Sequence, residues 1–173
     1  MIENLMKKII LLLVLSTLLL ANPLSIFESY MGQIWEGHYS DSADSSLVHM
    51  IYWEYALDSS RVYQVKTVPE LDFRMVTTYY WDERKEEVAS LALIDDNTFA
   101  AGYAQAEKEH IECYSHNFHP EGSHETISHF LIYGGSLIDR FYRKNEGDWF
   151  MEHLVIYKPI LLSEAFKLIM NRE

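Results

Sequence analysis

Five of the chain's eight histidines and its only cysteine fall in one stretch, HIECYSHNFHPEGSHETISH, residues 110 to 129. Imidazoles and carboxylates at that density could ligate a metal, and a histidine near a thiol could serve as base and nucleophile. Three imidazoles around one ion, with a fourth position open to water, would make a catalytic zinc site. Strand geometry limits that reading. Pro120 and Gly122 mark a turn, so the stretch reads as a β-hairpin. In one register His116 faces His124, with His110 on the same side and His129 on the other. One residue over, His110 pairs with His129, His116 stays on their side and His124 turns away. Either register puts three histidines on one face, yet residues six apart on a strand lie roughly 20 Å from each other. One hairpin does not bring three imidazoles to one ion, and a two-histidine site needs Glu112, Glu125 or another strand to complete it. The expectation is a solvated hairpin, with no metal and no cofactor.

Other chemistry-bearing patterns are sparse. The chain has no G-x-S-x-G, H-E-x-x-H, Walker A, G-x-G-x-x-G or C-x-x-C, which weighs against the common hydrolase, zinc protease, nucleotide and dithiol activities. Cys113 has no Lys or Arg within three residues to lower its pKa, and is expected to be a small buried residue on a strand. A single cysteine also excludes an internal disulfide. The informative positions are charged residues inside strand-like runs: Arg74, Glu112, Arg140 and His153. Alternation places Trp149, Met151, His153, Val155 and Tyr157 on one side of the run 148 to 157, which could line a cavity with aromatic and flexible apolar groups. The alternatives are solvated arginines and a His153 that is a hydrogen-bonded core residue.

The elements that must position these residues are short aromatic and β-branched runs separated by polar breaks. They predict strands near 34–40, 47–57, 61–68, 73–81, 86–94, 98–106, 108–116, 124–133, 137–144 and 148–157. Breaks such as DSS (58–60), GGS (134–136) and NEG (145–147) are hairpin length, so neighbouring strands should be antiparallel. About ten such strands remove their edges by closing into an up-and-down barrel, with a sandwich as the alternative. LSIFESYM (24–31) reads as a short helix with Leu24, Phe27 and Tyr30 or Met31 on one face. SEAFKLIMNRE (163–173) reads as a C-terminal helix capped by Ser163.

Length and a 49% hydrophobic composition fit one domain with a core. Lys7 and Lys8 precede an apolar segment of about a dozen residues, short of the roughly 20 that span a bilayer. Residues 1–21 therefore read as a signal peptide and 22–173 as the mature domain, exported to the periplasm or the medium, without stable membrane insertion after cleavage. Removing two lysines and one glutamate with the leader takes the formal charge from −12 to −13. So acidic a chain, with no basic stripe, is not expected to bind nucleic acid.

The stretches GQIWEGHY (32–39), WEYALDSSRVYQV (53–65), TTYYWDERKEEV (77–88) and GDWFMEHLVIYKP (147–159) resemble the calycin-type barrels of lipocalins and fatty-acid-binding proteins. They are most similar to a bacterial group of lipocalin-like proteins of largely unassigned function. In lipocalins proper a Gly-x-Trp closes the barrel floor; here two residues separate Gly32 from Trp35. The resemblance implies a closed barrel with an inner small-molecule site and no shared catalytic machinery. The reading is a mainly β, calycin-like barrel that binds a small apolar or amphipathic molecule. Its expected ligand-binding residues are Trp35, Trp53, Tyr80, Glu112, His129, Arg140, Trp149, Met151, His153 and Tyr157. The alternatives are a barrel isomerase, cyclase or hydrolase with a buried histidine as base, or a structural protein of the cell envelope.

Overall fold

The computed structural model describes residues 22–40, 46–94, 98–161 and 163. The expected signal segment and, apart from Ser163, the expected C-terminal helix lie outside them. A 3-10 helix, Pro23–Tyr30, precedes ten strands. These are β1 (Ile34–Tyr39), β2 (His49–Tyr55), β3 (Arg61–Val68), β4 (Phe73–Asp82), β5 (Glu87–Ile94), β6 (Phe99–Ala106), β7 (Ile111–His119), β8 (Gly122–Tyr133), β9 (Ser136–Asn145) and β10 (Asp148–Ile160). Each pairs antiparallel with its neighbour in sequence, and β1 pairs with β10, so the sheet is a closed up-and-down barrel with no free edge. Every strand lies on a run expected from alternation. The turns also follow local chemistry: Gly134 and Gly135, both at positive φ, make the two-residue connection from β8 to β9 that a twisted hairpin favours. Among the described residues no helix is long and apolar enough to cross a membrane.

One end of the barrel is plugged. Leu24, Phe27 and Tyr30 recur every third residue, which is the 3-10 repeat, so all three fall on one buried face. Asn22 caps this helix by accepting from the Leu24 N–H at 3.0 Å. Eight residues is long for a 3-10 helix, and side chains of the barrel brace it. The Tyr55 hydroxyl donates to the Leu24 carbonyl at 3.3 Å, and the Trp35 indole N–H donates to the Tyr30 carbonyl at 3.1 Å. The Tyr30 hydroxyl donates to the Phe130 carbonyl at 2.7 Å. Around this plug Trp35, Ile51, Trp53, Val62, Leu137 and Val155 form a dense apolar floor.

Two registers differ from expectation, and both change which side chains point inward. The β7–β8 turn is the two-residue Pro120-Glu121, so His119 pairs with Gly122, His116 with Glu125 and Glu112 with His129. His116 therefore does not face His124, and His110 is not the strand partner of His129. His119 and His124 point inward, stacked at 4.9 Å between ring centres, while Glu112, His116 and His129 lie on the outer side. In β10 the register shifts between Met151 and His153, leaving Glu152 as a bulge. A bulge adds one residue to one strand and reverses the alternation beyond it. Trp149 and Met151 therefore face outward, opposite Lys144 and Tyr142, whereas His153, Val155 and Tyr157 face inward. The five residues expected on one face are divided by that one insertion.

Candidate functional site

The apolar floor fills only one end of the barrel. At the other end, where β3 and β9 finish and β2, β4, β8 and β10 begin, the interior opens into a cavity of about 330 Å³. The volume falls at the lower edge of the range for small-molecule sites. Phe73, Met75, Ile94 and Phe141 give it apolar walls. Its polar groups come from strands that are far apart in sequence.

At its base Lys66 of β3 reaches across the interior to Asp139 of β9, with Nζ 3.0 Å from Oδ2. Asp139 is fully buried and the Lys66 side chain is 12% exposed. Burial pushes the Lys66 ammonium toward neutrality, but the Asp139 carboxylate outweighs that and holds it charged. Burial also raises the Tyr157 hydroxyl, which adjoins the pair, so it stays protonated. The geometry is a neutralised ion pair locked into the barrel wall.

Beside the pair stand two groups with incomplete hydrogen bonding. Gln64 is 1% exposed; its Oε1 accepts from the Tyr79 hydroxyl at 3.2 Å, while its Nε2 has no partner among the described residues. His49 is 2% exposed, and neither ring nitrogen has a hydrogen-bond partner among the described residues. Burial, then the nearby Lys66 cation, pushes the His49 imidazole down to about 3, so it is neutral, with one N–H donor and one bare acceptor. The Tyr39 ring meets His49 edge-on at 4.4 Å and His153 at 5.1 Å, and His153 stacks on Phe141 at 4.6 Å. Tyr39 thus joins the two imidazoles along one wall.

The arrangement suits binding better than nucleophilic chemistry. Burial raises the Cys113 thiol to about 12, so it is no thiolate near neutral pH. Lys66 is held as an ammonium and is not a free amine nucleophile. Asn117 donates to Thr126 at 2.9 Å, and Thr98 bonds the His119 ring at 2.8 Å. The polar groups nearer the mouth are therefore partly satisfied within the wall.

Of the ten positions singled out from the sequence, His153 lines the cavity. Trp35 and Trp53 are buried in the floor, and Tyr157 is fully buried at the ion pair. The remaining six lie outside the barrel. Tyr80 is exposed because its neighbour Tyr79 takes the inward place, and Arg140 because Asp139 and Phe141 do. Trp149 and Met151 are outside because of the bulge, and Glu112 and His129 because of the two-residue turn. Sequence reasoning missed His49, Gln64, Lys66 and Asp139. The signal for two of them was present: Gln64 and Lys66 share parity with Val62 and Val68 in RVYQVKTV, a polar pair on an apolar face. No protein-family model and no curated protein matches the chain.

Proposed function

We propose that the protein is an exported, calycin-like barrel that binds one small amphipathic molecule, its polar end at Gln64 and His49 and its body against Phe73, Met75 and Phe141. One observation carries this reading: among the described residues an amide nitrogen and both nitrogens of an imidazole have no hydrogen-bond partner, and they stand nearly solvent-free in the wall of a cavity of about 330 Å³. Each unsatisfied buried polar group costs about 1–3 kcal/mol, so a molecule that bonds to them recovers that cost on binding. Gln64 offers a donor, and neutral His49 offers a donor and an acceptor. A hydroxyl, amide or carbonyl head matches both. Lys66 is already neutralised by Asp139, so nothing at the base calls for a charged head. The apolar plug below and the strong burial of Asp139 fit a barrel whose inner site is entered from one end.

Thermal unfolding with 1-decanol, decanamide and decane as probes tests the proposal. The alcohol and the amide should raise the unfolding temperature more than the alkane does, by occupying a site present only in the folded state. Gln64→Leu should abolish the difference between alcohol and alkane. Mass spectrometry of the purified protein, native and then denatured, asks whether a molecule is carried through purification. A protein that carries none and responds to no head-bearing probe refutes the reading.

A further inference from the structure

On the outside of the barrel, at the plugged end, three side chains converge that the cavity does not use. His110 closes the turn before β7, where its carbonyl accepts from the Glu107 N–H at 2.8 Å. Glu112 lies two residues on, on the same side of the strand, and His129 of β8 is its direct cross-strand partner. One ligand atom from each of the three lies within 4.8 Å of the others. His129 Nε2 is 3.2 Å from Glu112 Oε2, and the two imidazole rings are 4.5 Å apart at their centres.

His110 and His116 are six residues apart, too distant along a strand to share one ion. The observed register replaces the distant His116 with the carboxylate of Glu112, directly opposite His129. We infer that His110, Glu112 and His129 form a binding site for one divalent transition-metal ion, with Zn²⁺ the best match, and leave a fourth position open to water. Bonds of about 2.0–2.1 Å in a tetrahedral zinc site hold ligand atoms about 3.3 Å apart. The Glu112–His129 separation is already 3.2 Å, and the His110 ligand atom, within 4.8 Å of both, has at most about 1.5 Å to close.

Three further features support an ion here. His110 Nε2 is shielded from solvent and has no hydrogen-bond partner among the described residues, although it sits beside another imidazole and a carboxylate. The Gln105 amide donates to Glu112 Oε1 at 3.3 Å, which orients the carboxylate and leaves Oε2 for the metal. Glu107 and Glu109 in the adjoining turn add negative potential, opposed by Lys108 and by Arg140, the strand partner of His129 on β9. Two imidazoles and one carboxylate select a borderline d-block ion over Ca²⁺ or Mg²⁺, which want all-oxygen shells.

Protein stripped with chelator and dialysed is titrated with ZnCl₂ by calorimetry, and separately with Co²⁺, whose visible bands report tetrahedral nitrogen and oxygen ligation. One equivalent per chain is expected. His110→Ala and His129→Ala should each weaken binding by more than 100-fold, beyond the roughly 10- to 100-fold expected of Gln105→Leu. His38→Ala, on the exposed side of β1, should bind as the parent does. Metal-free unfolding temperatures of every variant separate loss of the site from loss of the fold. Absence of a Zn²⁺ equivalent in the parent chain, or an equivalent that survives both histidine substitutions together, overturns the inference. Neither result bears on the cavity at the other end of the barrel.

Discussion

Acidification should destabilise the barrel through His49, and the size of the effect follows from its burial. In the unfolded chain this imidazole titrates near 6.5. In the folded barrel it is pushed down to about 3, first by burial and then by the Lys66 cation, with His153 and His38 in the same direction and Glu70 opposed. Above the unfolded value both states are neutral and His49 adds no pH dependence. As pH falls below 6.5 the unfolded state takes up a proton that the folded state refuses, so stability is lost progressively down to about pH 3. Between pH 7 and pH 5 the unfolded histidine goes from about one-quarter protonated to nearly full, which costs the fold about 2 kcal/mol. The figure does not depend on the exact folded value, provided it stays below about 4. His49→Phe removes the titration and keeps a ring against Tyr39. Urea unfolding, followed by the fluorescence of the buried Trp35 and Trp53, should show the stability gap between parent and variant shifting by about 2 kcal/mol between the two pH values. With a slope of about 2 kcal/mol/M, the midpoints move relative to each other by about 1 M. An unchanged gap would mean that His49 is protonated as easily folded as unfolded. That would refute both its desolvation and its role as a neutral partner for a ligand.

Other perturbations follow from single contacts. Asp139→Asn leaves the Lys66 ammonium buried without its counter-charge and should cost about 3–5 kcal/mol in chemical denaturation, while Asp139→Leu combined with Lys66→Met should recover much of it. Gly102→Ala should destabilise by about 1–3 kcal/mol or more, because a Cβ there would stand 1.9 Å from the Tyr114 carbonyl oxygen, and backbone on both paired strands would have to move. Tyr30→Phe strips the hydroxyl that bonds the Phe130 carbonyl at 2.7 Å and should cost about 1–3 kcal/mol by thermal unfolding, with the cavity's response to 1-decanol unchanged.

The strands were legible because their signal is local. A run such as RVYQVKTV alternates on its own, and breaks such as GGS carry the turn chemistry that pairs neighbouring strands antiparallel. Closure followed from the count, since ten strands with two open edges would leave unpaired backbone groups. The face of each strand was another matter. In β4, Tyr79 and Tyr80 are adjacent aromatics, and in β9 Asp139 and Arg140 are adjacent charges, so composition does not say which of either pair turns inward. Both were resolved the other way from the residues singled out, to Tyr79 and Asp139.

What the sequence by itself determined is therefore the set of strands and their antiparallel order. What only the tertiary structure decided is parity and partnership. A turn of two residues at Pro120-Glu121 and one extra residue at Glu152 changed which side chains of β7, β8 and β10 share a face, because a slip of one residue exchanges the two faces of a strand. The Lys66–Asp139 pair joins residues 73 apart in sequence, and the cluster of His110, Glu112 and His129 depends on one cross-strand register. The first is created only when the barrel brings β3 and β9 face to face; the second is set by the length of one hairpin turn, and a shift of one residue there would undo it.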